Sequence, residues 1–266
     1  MPDLEPLLAD AEVHVMRSQY VDDRFTVLIG HPGVRRDHDF REVLYLTDAN
    51  ARFGSAVDIV AGLVRAGCVE PVLIVGIGYP AARVRQAAAL RRRDLTPRTE
   101  PGDEPFVSFL RDELAPWVGR SYRTDAARTT YFGHSLGGLL GTWLLLTAPA
   151  SFDRYLISSP ALWWRERAVF EREQRRAGEE GDLLAEVYFG VGAEERAVPA
   201  AAYRPGAPLI DMVADLGDFV ARLGERGYPG LRLSAVEFPD EIHETTPFVT
   251  LSRGLRALLP GAREAR

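Results

Sequence analysis

The chain contains no lysine: all 32 of its basic residues are arginine. That absence excludes lysine Schiff bases and pyridoxal-phosphate chemistry, and it removes the lysine of a phosphate-binding P-loop. Cysteine is nearly absent. The single Cys68 can form no internal disulfide, and its apolar neighbours mark it as a buried thiol rather than a reactive one. Long hydrophobic runs are missing too. The most apolar stretch, residues 71–77, is far too short to cross a bilayer. The segment up to Met16 carries acidic residues and no apolar stretch of signal-peptide length, which reads as a cytoplasmic protein. A net charge of -6 and a pI near 5.5 argue against nucleic acid and anionic membranes as partners.

What is present fits an ordinary globule. The chain has 266 residues, 46% of them hydrophobic and 26% charged, enough to bury a full core. No repeat, low-complexity tract or Pro-rich linker divides it, so residues 1–266 read as one domain. Glu12-Val13-His14-Val15-Met16 alternates as a strand, and with residues 24–29 it predicts an antiparallel hairpin across Asp22-Asp23. Residues 42–47 predict a third strand. Ser55 is expected to cap a helix over residues 56–66, with Val57, Val60 and Val64 at helical spacing. Val72-Leu73-Ile74-Val75 has the unbroken apolarity of a central parallel strand. From there strands and helices alternate, which predicts an α/β fold with a mostly parallel sheet and helices on both faces. Residues 79–102 read as a long loop over the sheet edge, and residues 106–117 as an amphipathic helix. The densely charged residues 165–182 read as a solvated helix or a lid.

The stretch Thr129-Thr130-Tyr131-Phe132-Gly133-His134-Ser135-Leu136-Gly137-Gly138 organises the rest. A β-branched and aromatic strand turns within a few residues into an apolar helix, with G-x-S-x-G between them. Such a turn strains the apical residue and lifts the Ser135 hydroxyl above the sheet, while the Leu136 N–H at the helix N-terminus faces any anion formed there. This is the nucleophile elbow of α/β-hydrolases. A serine needs a base, and the base needs an orienting group. Of the five histidines, only His243 falls between the last predicted strand, residues 231–238, and the last helix, where the base belongs. Glu194 and Glu195 follow the strand at residues 187–191. Adjacent residues face opposite ways, so at most one reaches His243; Glu195 is preferred, with Glu194 or a serine–histidine dyad as alternatives. The second oxyanion donor is expected from Asp48-Ala49-Asn50, as the backbone N–H of Asn50.

Two other motifs are set aside. Gly76-Ile77-Gly78-Tyr79-Pro80-Ala81 superficially matches a dinucleotide fingerprint, but no acidic strand end follows at the required distance. His243-Glu244 begins like a zinc-binding helix, yet no second histidine stands four residues on. No cofactor and no metal are expected.

The segments Tyr45-Leu46-Thr47-Asp48-Ala49-Asn50, Arg93-Asp94-Leu95-Thr96-Pro97, Gly133-His134-Ser135-Leu136-Gly137-Gly138, Ser159-Pro160-Ala161-Leu162-Trp163-Trp164 and Asp240-Glu241-Ile242-His243 occur in that order. In this the sequence resembles the esterase D-like family of α/β-hydrolases, and within it the ferric-siderophore trilactone esterases that act on enterobactin and salmochelin. The resemblance covers nearly the whole chain and implies Ser135 as nucleophile and His243 as base. The acid is weak or missing in some siderophore esterases, so the dyad stays open. Ala49 stands where the family often has glycine. The implied activity is hydrolysis of a small or medium polar ester, a siderophore lactone among the candidates, through an acyl-enzyme. The same fold also carries acyltransferases and non-catalytic binding proteins. The partner is a small-molecule ester; the oligomeric state is not readable. Arg91 and Arg93 are candidate contacts to an anionic substrate, and Trp163 a candidate wall of the acyl pocket or a core residue.

Overall fold

The alternating N-terminal segment becomes β1 (Ala11–Ser18), paired antiparallel along its length with β2 (Asp23–Gly30). The structure, a computed structural model, describes residues 11–98, 104–124, 127–179, 181–199, 209–259 and Gly261. Most of the segment read for a leader, and the end of the 79–102 stretch, lie outside the described residues. The strands that follow are β3 (Glu42–Leu46), β4 (Val72–Gly78), β5 (Arg128–His134), β6 (Arg154–Ser158) and β7 (Ala185–Gly192). After a short antiparallel pair, β8 (Val198–Pro199) with β9 (Leu209–Ile210), comes β10 (Leu231–Phe238). The eight-stranded sheet runs β1-β2-β4-β3-β5-β6-β7-β10, antiparallel at β1–β2–β4 and parallel from β4 onward. This is the α/β-hydrolase arrangement anticipated from the sequence, hairpin included.

Strands β3, β4 and β6 are buried at every position, so both faces of the sheet need cover. On one face lie α1 (Ala49–Arg65) and α8 (Thr246–Leu258), whose Phe53, Val60 and Leu255 pack on Leu44 and Leu46 of β3. The opposite face takes Val43 and Tyr45 from the same strand. It is covered by α2 (Ala87–Leu95), by a helical stretch of α3 (Pro105–Ser108), a π-helical turn and α4 (Ala115–Ser121), and by α5 (Leu136–Thr147), α6 (Trp164–Ala177) and α7 (Met212–Arg226).

Several boundaries differ from expectation, each for a packing reason. Helix α1 starts at Ala49, directly after Asp48, and Ser55 caps nothing. Ala49 and Phe53 are buried against β4, and that contact carries the helix through Gly54. The stretch read as a loop holds a 3-10 turn, Ala81–Gln86, and then α2. It is anchored by buried Leu90 and Leu95 and by Asp94, which accepts from Tyr79 and Arg93. Helix α6 is no lid. It inserts Val169 and Phe170 into the core, and its buried Glu173 pairs with Arg226 of α7.

Candidate active site

Ser135 stands between β5 and α5 with φ 59° and ψ -114°, a left-sided conformation that costs a non-glycine residue about 1–3 kcal/mol. Its surroundings hold it there. Its N–H donates to the Ser158 carbonyl at 3.0 Å, and its own carbonyl accepts from Leu139 and Ala161 at 2.9 and 3.1 Å. The turn closes only because Gly133 lacks a side chain, since a methyl there would run into the carbonyl of Gly137. The sequence therefore gives at this point the strained strand-to-helix turn that its glycine spacing demands.

His243 follows β10 in the turn before α8, and its Nδ1 lies 2.6 Å from Oε2 of Glu195. Glu195 is fully buried, whereas Glu194 is exposed. The other oxygen, Oε1, accepts from Ser159 Oγ at 2.6 Å, from the Gly192 N–H at 2.8 Å and from Thr246 Oγ1 at 3.0 Å. Burial alone would raise the pKa of this carboxyl. The hydrogen bonds from His243 and Ser159, the imidazole's charge and the Gly192 N–H outweigh it and hold the pKa below the ordinary glutamate value. An ionised Glu195 can only accept, so Nδ1 of His243 carries a proton and donates it to this bond.

Ser135 and His243 line one pocket of about 360 Å³, together with Asp48, Asn50, Arg52 and Arg91. Asn50 and Leu136 are in the first turns of α1 and α5, where backbone N–H groups lack intrahelical acceptors. The Asn50 side chain is occupied: Oδ1 accepts from the Tyr79 N–H at 2.7 Å and Nδ2 donates to its carbonyl at 2.8 Å. That clasp explains Gly78, where a Cβ would collide with the Asn50 amide. The glycines of the apparent dinucleotide motif thus serve the approach of α1 to β4.

The predicted substrate contacts separate. Arg91 is on the pocket wall, bound to Asp48 through Nε at 2.6 Å and Nη2 at 2.9 Å. Arg93 is engaged with Asp94 and Asp23 and is not among the residues lining the pocket. Trp163 is half-buried against the main core beside Trp164, at 5.8 Å between ring centroids, and does not line the pocket either.

Ser159, Thr246 and Arg52 were not among the expected site residues, and His134 was expected only as a neighbour of Ser135 in the elbow. Ser159 and Thr246 brace Glu195, and only Ser159 sat in a quoted motif. Arg52 lines the pocket. His134 lies beneath His243, with ring centroids 4.4 Å apart, and its Nδ1 is 3.1 Å from Ser158 Oγ. Burial, and then the positive charges of His243, Arg52 and Arg91, push the His134 pKa well down, so this imidazole is neutral at pH 7. Among the described residues, no group of three or more His, Cys, Asp or Glu is placed to hold a metal ion.

Comparison with known proteins shows the family. Residues 18–206 match the family described as "Putative esterase". The ferri-bacillibactin esterase BesA of Bacillus subtilis is 29% identical over 93% of this chain and 89% of its own. The siderophore triacetylfusarinine C esterase of Aspergillus fumigatus is 36% identical over 48% of this chain and 46% of its own. The crystal structure of the BES protein from Bacillus cereus superposes with a TM-score of 0.78 at 26% identity, covering 94% of this chain and 96% of that one.

Proposed function

The chain belongs to this esterase family, and on that footing we propose that it hydrolyses a carboxylic ester through an acyl-enzyme on Ser135. One observation carries the reading: a serine at positive φ shares its pocket with a histidine whose far nitrogen is held by a buried carboxylate. Nε2 of His243 takes the proton as Ser135 Oγ attacks the ester carbonyl. The Leu136 and Asn50 N–H groups then stabilise the tetrahedral oxyanion. His243, now an imidazolium stabilised by Glu195, returns the proton to the departing alcohol. Water repeats the sequence on the acyl-enzyme and frees the acid.

The substrate class follows from the relatives. Those named above as esterases act on siderophores, and the charged Asp48, Arg52, Arg91 and Glu244 in the pocket beside Ser135 suit an ester embedded in such a chelator, a lactone or ester bond joining iron-binding arms. The substrate is thus a small molecule.

The test is covalent labelling by a fluorophosphonate probe, with turnover of 4-nitrophenyl butyrate read in parallel. The protein should label stoichiometrically, and Ser135→Ala should lose both labelling and about 10⁴-fold or more of kcat. Turnover should survive a chelator. An unlabelled protein, or a Ser135→Ala variant with wild-type turnover, would overturn the proposal and leave a hydrolase-fold binding protein.

A further inference from the structure

Arg52 stands on α1 just beyond Asn50 and lines the pocket that holds Ser135 and His243. Its Nε is buried and donates no hydrogen bond, and among the described residues its guanidinium makes no ion pair. Its neighbour is a ring: Cζ lies 5.8 Å from the centroid of Phe248. The other arginines near the elbow are committed, Arg91 to Asp48 and Arg93 to Asp94 and Asp23. The carboxylates whose charges reach Arg52 are those of Asp48, already bound by Arg91, and of the exposed Glu244 on the pocket wall. A guanidinium keeps its charge and five donors under any conditions a protein meets, and a buried donor without an acceptor is costly until a ligand supplies one. The pocket that holds the nucleophile therefore also holds a cation whose Nε lacks an acceptor.

We propose that Arg52 is a specificity-determining residue that receives an anionic oxygen group, a carboxylate or catecholate, carried by the substrate within a few bonds of the scissile ester. This rests on the esterase reading above. A planar guanidinium matches two oxygens at once, which fits either group. Glu244 is its counterweight: it holds the empty pocket closer to neutral and repels the same anion.

Two matched ester pairs test the proposal. In mono-4-nitrophenyl succinate against 4-nitrophenyl butyrate the charge is on the acyl part. In 3-acetoxybenzoate against phenyl acetate it is on the leaving group. The readout is the anionic-to-neutral ratio of kcat/KM. Arg52→Gln should lower that ratio by about ten- to a hundredfold in at least one pair, the size of a lost charge-assisted contact, and the pair affected identifies the side of the ester that Arg52 meets. Glu244→Gln, at an exposed position, should raise the same ratio severalfold and decides the matter if Arg52→Gln does not fold. Ratios unchanged in every folded variant overturn the proposal. That outcome differs from failure of the esterase reading, in which Ser135→Ala would keep its turnover of the neutral esters.

Discussion

Arg91 grips both carboxylate oxygens of Asp48, and Asp48 is the left-handed residue, φ 59°, at which the chain leaves β3 for α1. The pair fastens α2 to the turn that presents the Asn50 N–H. On the proposed mechanism Arg91 acts through position, and its loss should affect charged and neutral esters alike. We expect Arg91→Ala to lower kcat by about tenfold with both, a fraction of the 10²–10³ that follows complete loss of an oxyanion donor. Steady-state kinetics on the matched pairs checks this. A loss confined to the anionic esters would make Arg91 a direct substrate contact instead.

The two adjacent glutamates should behave very differently. Glu195→Gln keeps the shape but removes the charge that stabilises an imidazolium at His243, and kcat should fall by roughly 10²–10⁴. Glu194→Gln, at an exposed position, should change it less than twofold. Small equal effects would favour a serine–histidine dyad. Glu195 also links stability to pH. Its pKa is lower folded than unfolded, so its contribution is complete above the unfolded value of about 4.3 and fades as pH falls through the folded value. Urea titrations at pH 7, 5 and 3.5 should therefore show the stability gap between wild type and Glu195→Gln closing only on the acid side.

How far the sequence carries can be seen in particular residues. Ser135, His243 and Glu195 were legible because each is tied to a strand end, and strands announce themselves by apolar runs and turn residues. Alternation limits the acid to one of Glu194 and Glu195 without choosing between them, and burial of Glu195 beside exposure of Glu194 agrees with the preference for Glu195. Arg52 was not legible. It lies inside a helix whose start was placed too late, because buried Ala49 and Phe53 override Gly54 and no side-chain cap marks the true beginning. Arg93, a candidate substrate contact, is held instead by the adjacent Asp94 and by Asp23 of the first hairpin. Asp94 stands beside it in the sequence, but pairing with Asp23, 70 residues away, leaves no local pattern.

At the edge of the sheet opposite Ser135, Arg154 at the start of β6 donates to Glu42 at the start of β3 over 2.6 Å, with both side chains almost fully buried. Burial raises the Glu42 pKa more than Arg154 lowers it, so the pair is a costly feature once broken. Arg154→Met, leaving Glu42 unpaired, should destabilise the fold by about 3–5 kcal/mol in urea denaturation. Adding Glu42→Met should restore most of that, because an apolar pair of similar volume avoids desolvating charge. The esterase activity of the folded double variant should match wild type. A double variant as unstable as the single one would show that the pair is worth more than its replacement.

Chain length of the acyl group gives the last discrimination. Each buried methylene is worth about 0.8 kcal/mol, so an enzyme with an apolar acyl channel gains steeply from acetyl to palmitoyl. Here the pocket is about 360 Å³, and the charged Asp48, Arg52, Arg91 and Glu244 share its lining with Ala51, Tyr79 and Ala87, while Trp163 is packed into the core side. A space of that size does not house a full palmitoyl chain, and the charged side chains break up its apolar surface, so the methylene increments should vanish beyond a few carbons. In a panel of ferric enterobactin with 4-nitrophenyl acetate, butyrate and palmitate, relative kcat/KM should be highest for the ferric trilactone, similar for acetate and butyrate, and lowest for palmitate. A rise toward palmitate would mean that the chain follows an apolar path leading beyond this pocket, and the polar-ester assignment would fall with it.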